Sequence, residues 1–261
     1  MKHKFDHVII THEKDFDTLP LCLEGLVNVV GGTDKVYVIS NKNPNISGVE
    51  FVDEREFDGH FTFEKTKSIL DERKKGIYDG CRAGWIYQQF LKLMCWKAMN
   101  FTNGRYHVVD SDTIYLRDVN YEESLFSYSR PYHVSEGNIW YQTYNCTFKN
   151  LIGKTHEKSY ICHNMVFDQK FLSEMISEVE TDKGKAFDEA VCHCVCFDQN
   201  GPFFSEYEMY GNWMNTNHPS MCKEIKVDWK DISFIPTKEN ISELATMFDF
   251  VSAHAYLRED S

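Results

Sequence analysis

The chain has 261 residues, 42% of them hydrophobic and 15% aromatic, which excludes a disordered polymer and suffices for one substantial core. Its formal net charge of −12 argues against nucleic acid as a partner, because phosphate binding is driven by a basic field, while a small nucleotide held through a metal ion stays compatible. No run of about 18 apolar residues occurs, so no transmembrane segment is expected.

The opening MKHKFDHVIITHEKDF becomes charged too early for a signal peptide. The nine cysteines, an odd count, therefore read as free thiols in a reducing, cytoplasmic setting. His7 to Thr11 is an apolar strand ending in the polar THEKD. A helix is expected from about Phe16 to Val30, with Leu19, Leu23, Leu26 and Val30 on its apolar side and Gly31-Gly32 as its stop. Lys35 to Ser40 is β-branched and aromatic and breaks at Asn41, which makes a second strand. Strand, helix, strand is a βαβ unit with a parallel pair. Ligands gather at the carboxyl ends of such strands, which singles out Thr11, His12 and Asn41.

Phe63 to Tyr78 is a charged helix or loop. A firmer helix opens at Arg82 and runs to about Met99, with Ile86, Phe90, Leu93 and Met94 at helical spacing. The Asn103-Gly104 turn leads into Arg105-Tyr106-His107-Val108-Val109-Asp110-Ser111-Asp112, a buried-type strand with two acids at its end. Farther on, strand-like pieces are expected near 132–134, 160–167 and 203–204, and helical pieces at 169–179 and 187–196. No linker or repeat divides the chain. One domain is the simplest account, with a nucleotide half over 1–118 and an acceptor half over 119–261.

Asp-x-Asp alone is weak, since acidic pairs in loops are common and a capped turn would explain them. Here the pair ends an apolar strand and precedes another apolar run, TIYL. Two carboxylates at that place can turn toward one hard cation, Mn²⁺ or Mg²⁺, which takes oxygen ligands and bridges to phosphate oxygens.

The ordered set THEKD, ISN, RAGWIYQQFLKL and VVDSDTIYL resembles the GT-A superfamily of nucleotide-sugar glycosyltransferases. It is particularly similar to a branch found in viruses and bacteria. SYICHNMVFD, FSEYEMYGNW and DFVSAHAYL carry the resemblance nearly to the carboxyl end. It implies a GT-A-like, Rossmann-type α/β fold, with a mixed, mainly parallel sheet flanked by helices. It implies a UDP- or GDP-sugar as donor and a glycan or other hydroxyl compound as acceptor. By the same resemblance Asp112 is the direct metal ligand, Asp110 touches ribose or metal, Ser111 between them binds the donor, and His254 returns as a further ligand. Thr11, His12 and Asn41 would surround base and ribose, and Arg82 and Lys92 would face the diphosphate or the sugar. For Arg82 and Lys92 the alternative is an ordinary solvated helix charge. His163 and Asn164 would lie beside the donor sugar, unless His163 is simply a satisfied core histidine. The His-x-x-Gly-x-x-Lys-Pro-Trp pattern of one retaining family is absent from the sequence.

An inverting transferase needs a carboxylate to deprotonate the acceptor. The best candidate is Glu206, then Glu208, which share one face if Phe204 to Trp213 is extended; an exposed acidic turn is the competing account. Asp188 and Glu189 look like first-turn helix acids. Trp140, Tyr210 and Trp213 are candidate sugar-stacking rings, although core packing explains any one of them equally. Cys192-His193-Cys194-Val195-Cys196 is too tightly spaced for a closed zinc site. Two other classes fit part of the pattern. A nucleotidyltransferase would carry a glycine-rich loop after the first strand, where this chain reads THEKDFDTLP. A non-catalytic carbohydrate-binding protein would have no need of Asp110, Asp112 and Glu206.

Overall fold

The structure is a computed structural model that describes residues 5–30, 33–74, 82–121, 126–129, 132–133, 139–154, 158–197 and 201–258. Strand β1 (Phe5–Ile10) leads to the short helix α1 (Leu19–Gly25), then to β2 (Thr33–Ser40) and β3 (Glu50–Asp53). Helices α2 (Phe63–Lys74) and α3 (Ala83–Met94) precede β4 (Arg105–Asp110), and β5 (Thr113–Tyr115) follows at once. Then come α4 (Ile139–Ile152), β6 (Asn164–Asp168), α5 (Gln169–Lys183), α6 (Phe187–Cys194) and α7 (Glu206–Asn217). The last elements are β7 (Trp229–Asp231), α8 (Lys238–Leu244) and β8 (Phe250–Ser252).

The central sheet has the order β6-β4-β1-β2-β3. Its first four strands in sequence pair in parallel, and β6 runs antiparallel to β4. Successive side chains point to opposite faces of a strand, and here both faces are covered, so the central strands read as nearly unbroken apolar runs. Val8, Ile10, Tyr106, Val108, Met165 and Phe167 pack under α3, α5, α6 and α7. Ile9, Val38, Val109 and Val166 pack against Leu19, Cys22 and Leu26. A second sheet, β7-β8-β5, lies beyond the end of β4. The two sheets are joined by the turn Asp110-Ser111-Asp112, so the acid pair sits at the corner between them. Two glycines allow close approaches, of α1 to β5 and of the Glu206–Asn217 helix to Tyr160. A Cβ on Gly25 would lie 2.7 Å from the backbone nitrogen of Tyr115 in β5, and one on Gly211 would lie 2.5 Å from Tyr160 Cγ.

Several expectations need correction. The first helix is shorter than 16–30: it ends at Gly25, becomes a 3-10 turn over Leu26–Asn28, and Val29–Val30 is a strand paired with Val119–Asn120. The helix from Arg82 ends at Met94 rather than Met99. Tyr160 to Phe167 is not one strand, because His163 has φ 62° and β6 begins only after it. Residues 203–204 form no strand, and Phe203 has φ 67°. Phe204 to Trp213 is not extended: α7 starts at Glu206, and the Ser205 side chain accepts from the backbone N–H of Glu208 at 3.4 Å. The signal was present, since Ser205-Glu206-Tyr207-Glu208 has the spacing of a capping box, and acids suit a helix N-terminus. Nor are all the cysteines free thiols. Cys146 on α4 is disulfide-bonded to Cys196, just beyond α6, across 50 residues. No helix among the described residues is long and apolar enough to cross a membrane.

Candidate functional site

Five strand ends converge at the corner between the sheets. Asp110 closes β4, Asp112 precedes β5, His163 precedes β6, Asp231 ends β7, and His254 follows β8. Backbone hydrogen bonds hold these ends in register: Asp110 N–H donates to His163 O at 2.9 Å, Ala253 N–H to Asp112 O at 2.9 Å, and Ile232 N–H to Ser252 O at 2.8 Å. The side chains then alternate carboxylate and imidazole. Asp110 Oδ2 is 3.3 Å from His163 Nδ1, and His163 Nε2 is 3.2 Å from Asp231 Oδ1. Asp231 Oδ1 is 3.1 Å from His254 Nε2, and His254 Nδ1 is 2.8 Å from Asp112 Oδ2. Asp231, in the middle of the row, is its most open member, with a side-chain exposure of 39% against 10–22% for the others.

This row sets its own charge state. Burial would lower the pKa of His254, but hydrogen bonds to Asp112 and Asp231 outweigh it and raise it to about 10. Burial likewise opposes His163, and Asp110 and Asp231 raise it. Burial would raise Asp231, whereas the two imidazoles hold it well below the usual carboxylate range.

Behind the row lies a buried ion triad. Lys92 Nζ, from the last turn of α3, donates to Asp110 Oδ1 and to Glu206 Oε1, each at 2.6 Å. Lys92 and Glu206 have side-chain exposures of 2% and 1%. Tyr207 OH donates to the same Asp110 oxygen at 2.9 Å, and the Lys92 ammonium lies 4.8 Å from the centre of the Tyr207 ring. Burial opposes the Lys92 charge, but the two carboxylates win and push its pKa above the ordinary lysine value. Both oxygens of Asp110 are thus engaged, which fixes its orientation.

The other candidates separate clearly. Thr11, after β1, is buried and its hydroxyl has no partner among the described residues. His12, Asn41 and Arg82 are exposed. Ser111 is buried, and its carbonyl accepts from Thr18 Oγ1 at 3.3 Å, which pins the acidic turn. Asn164 turns away from the row into the core, where its Nδ2 donates to Cys162 O at 2.9 Å and its Oδ1 lies 3.4 Å from His107 Nε2. Glu208 points away from Glu206, since i and i+2 diverge on a helix. It accepts from Ser159 Oγ at 2.5 Å, Tyr160 N–H at 3.2 Å and Asn212 Nδ2 at 3.2 Å. Burial pushes its pKa up to about 7. Tyr210 and Trp213 are fully buried and therefore present no open stacking face, while the side chain of Trp140 lies outside the described residues. Asp188 is buried and Glu189 half-buried; both pair with Lys65 at 3.0 Å.

Sequence reasoning did not single out Asp231, Tyr207 or Trp229. Trp229 stands edge-on to His163, with ring centroids 5.0 Å apart. The alternation in Val227-Asp228-Trp229-Lys230-Asp231-Ile232 could have marked a strand, but nothing local connects it to Asp112.

A family model matches residues 31–239. The chain belongs to the family of unknown function DUF6492. No curated protein matches it. Among solved structures, this DUF6492 member is similar to mouse xyloside xylosyltransferase 1 in its apo form, with a TM-score of 0.50 and 11% identity over 97% of this chain and 99% of that one. The galactosyltransferase LgtC, in complex with donor and acceptor sugar analogs, aligns at a TM-score of 0.46 and 9% identity, covering 95% and 87%. The fold is that of the GT-A glycosyltransferases, a mixed α/β domain with a mainly parallel central sheet.

Proposed function

We propose that this DUF6492 protein is a metal-dependent glycosyltransferase that moves a sugar from a nucleoside-diphosphate donor to a hydroxyl acceptor. The observation that carries the reading is the convergence of Asp110 and Asp112 with His163, Asp231 and His254 at the strand ends of a GT-A-type fold. Ligands of open α/β sheets bind outside the carboxyl ends of the strands. Carboxylate oxygens and neutral imidazoles are suitable donors for Mn²⁺, with Mg²⁺ favoured less by the nitrogens. Such a cation would stabilise the charge that develops on the departing diphosphate.

The remaining roles fall to the chain's own groups. The unpartnered Thr11 hydroxyl, with exposed His12 and Asn41, would receive base and ribose. Exposed Arg82 would meet the diphosphate through paired N–H donors. Lys92 serves differently from the role its charge suggests: its ammonium is committed to Asp110 and Glu206, so it orients Asp110 rather than touching sugar. The division into halves at 118 and 119 does not divide the site, because His163, Asp231 and His254 all come from the acceptor half.

The expectation of inversion rested on Glu206 or Glu208 standing free in an extended segment. Glu206 is locked to Lys92, and Glu208 is held by Ser159, Tyr160 and Asn212. We assign both a positioning role, which leaves inversion without its support. The anomeric configuration of the product decides the stereochemistry. The class itself is tested with UDP-, GDP- and dTDP-sugars in the presence of Mn²⁺, Mg²⁺ or EDTA, on the wild type and Asp112→Asn. Metal-dependent binding of one nucleotide family, weakened in the variant, is expected. No binding of any nucleotide sugar under any metal condition overturns the reading and favours a carbohydrate-binding protein of the same fold.

A further inference from the structure

We propose that His163, Asp231 and His254 are the direct ligands of a first-row transition cation, and that Asp110 and Asp112 hold the two imidazoles from behind. This deepens the glycosyltransferase reading by reassigning the metal contacts within the same site, and it moves the acid pair from the ion to the rings that bind it.

The orientation of the rings carries the argument. Each imidazole has one nitrogen on a strand-end aspartate: His163 Nδ1 on Asp110 at 3.3 Å and His254 Nδ1 on Asp112 at 2.8 Å. Each therefore turns its other nitrogen, Nε2, to the same side, where both meet Asp231 Oδ1 at 3.2 and 3.1 Å. One ligand atom from each of His163, Asp231 and His254 lies within 4.8 Å of the other two. Neighbouring ligand atoms around an ion, with bonds of about 2.1 Å, stand roughly 3 Å apart in octahedral or tetrahedral geometry. The distances from Asp231 to the two nitrogens match that spacing.

A metal-binding histidine commonly gives its second N–H to a carboxylate, which fixes ring orientation and raises ligand basicity. Asp110 and Asp112 stand where those carboxylates belong. They are themselves braced, Asp110 by Lys92 and Tyr207 and Asp112 through its carbonyl, which accepts from Ala253 N–H. A direct contact to Asp110 would have to compete with the Lys92 ammonium for the same carboxylate. Asp231 is the most exposed member of the row, so the unused coordination positions face the open side, where phosphate oxygens or water could enter. Two nitrogens and one oxygen select Mn²⁺, Co²⁺ or Zn²⁺ over Mg²⁺. Three protein ligands also hold such an ion without help from a nucleotide.

The test is calorimetric titration of the nucleotide-free protein with Mn²⁺, Co²⁺, Zn²⁺ and Mg²⁺, with metal content read in parallel. One Mn²⁺, Co²⁺ or Zn²⁺ per chain is expected, with Mg²⁺ weaker by about tenfold or more. Asp231→Asn and His163→Ala should remove binding at the wild-type affinity, whereas Asp110→Asn and Asp112→Asn should weaken it by about 10- to 100-fold, as loss of an outer carboxylate does. Melting curves in EDTA show which variants fold, and Asp231→Asn, at the most exposed position of the row, is the variant least able to disturb the core. The assignment is overturned if folded Asp231→Asn binds like the wild type, if Asp112→Asn alone abolishes binding, or if no transition ion binds without nucleotide. The donor panel separates the two ideas. If metal-dependent donor binding survives in Asp231→Asn and is lost in Asp112→Asn, the ligand assignment fails and the transferase stands. If the metal binds through Asp231 but no nucleotide sugar follows, the transferase reading fails and the metal site stands.

Discussion

Two histidine pairs lie in different regions of the fold, one at strand ends and one inside the central sheet, and their environments push them in opposite directions. His163 and His254, at the strand ends, alternate with three aspartates and are raised, His254 to about 10. His7 and His107 sit inside the sheet with their Nδ1 atoms 3.1 Å apart. His107 Nε2 lies 3.3 Å from Tyr115 OH and 3.4 Å from Asn164 Oδ1, and Tyr115 OH lies 3.1 Å from Tyr121 OH. Those partners are neutral, so burial dominates and His107 falls to about 4, with His7 also well below its usual value. Desolvation acts on both pairs; an adjacent carboxylate decides which way the imidazole goes. The boundary between the regions is one peptide bond wide. His163 turns to the aspartates and Asn164 turns to His107.

The largest effect should come from the cation that anchors the charged region. Lys92→Met leaves buried Glu206 and half-buried Asp110 without their counter-ion, which should cost about 3–5 kcal/mol. Urea unfolding measures it, and a loss below about 1 kcal/mol would show that Lys92 is solvated and the triad is not a unit. Adding Glu206→Gln to Lys92→Met should recover part of the loss.

The pH dependence comes next, with opposite signs for the two pairs. A raised histidine gives stability that is full below about pH 6.5 and is lost as pH rises toward 10, so His254→Gln should flatten the alkaline side of the stability curve. A lowered one gives stability that is full above about 6.5 and is lost as pH falls toward 4, so His107→Gln should flatten the acid side. Imidazole resonances followed by NMR in EDTA report the sites directly. The contrast breaks if His107 titrates above His254. Glu208 supplies a separate check. Its carboxyl is raised to about 7, so its stabilising effect fades from about 4.5 upward, and Glu208→Gln should remove that slope.

The smallest effects compare two tyrosine hydroxyls. Tyr207 donates to the Asp110 carboxylate, whereas Tyr121 bonds a neutral phenol. Tyr207→Phe should cost about 1.5–3 kcal/mol and Tyr121→Phe about 0.5–1.5 kcal/mol. Equal losses in thermal unfolding would remove the distinction between the charged and neutral regions.

Much of the frame can be read along the chain because its causes are local. The β1 and β2 runs, the α3 periodicity and the Asn103-Gly104 turn before β4 each depend on neighbours within a few residues, and Asn103 does adopt φ 59°. Where the reading failed, a local signal was weak or outvoted. Ser205 and the acids after it announce a helix, but the aromatic residues that follow resemble a strand, and only burial of Tyr207, Tyr210 and Trp213 against the core resolves the two. Cys146 and Cys196 meet because α4 packs beside the end of α6, which no spacing rule reveals.

The same division runs through the candidate site. By itself the sequence determined that two acids end a buried strand, because apolar periodicity followed by Asp-Ser-Asp admits few other accounts. It also determined that His254 follows a short apolar segment near the carboxyl end. Only the tertiary structure decided that Asp231 stands between His163 and His254, and that Lys92 and Glu206 face each other rather than a ligand. Asp112 and His254 are 142 residues apart, and Lys92 and Glu206 are 114 apart. Contacts at such separations are set by how sheets and helices pack to bury their apolar faces, and that packing is a property of the whole chain.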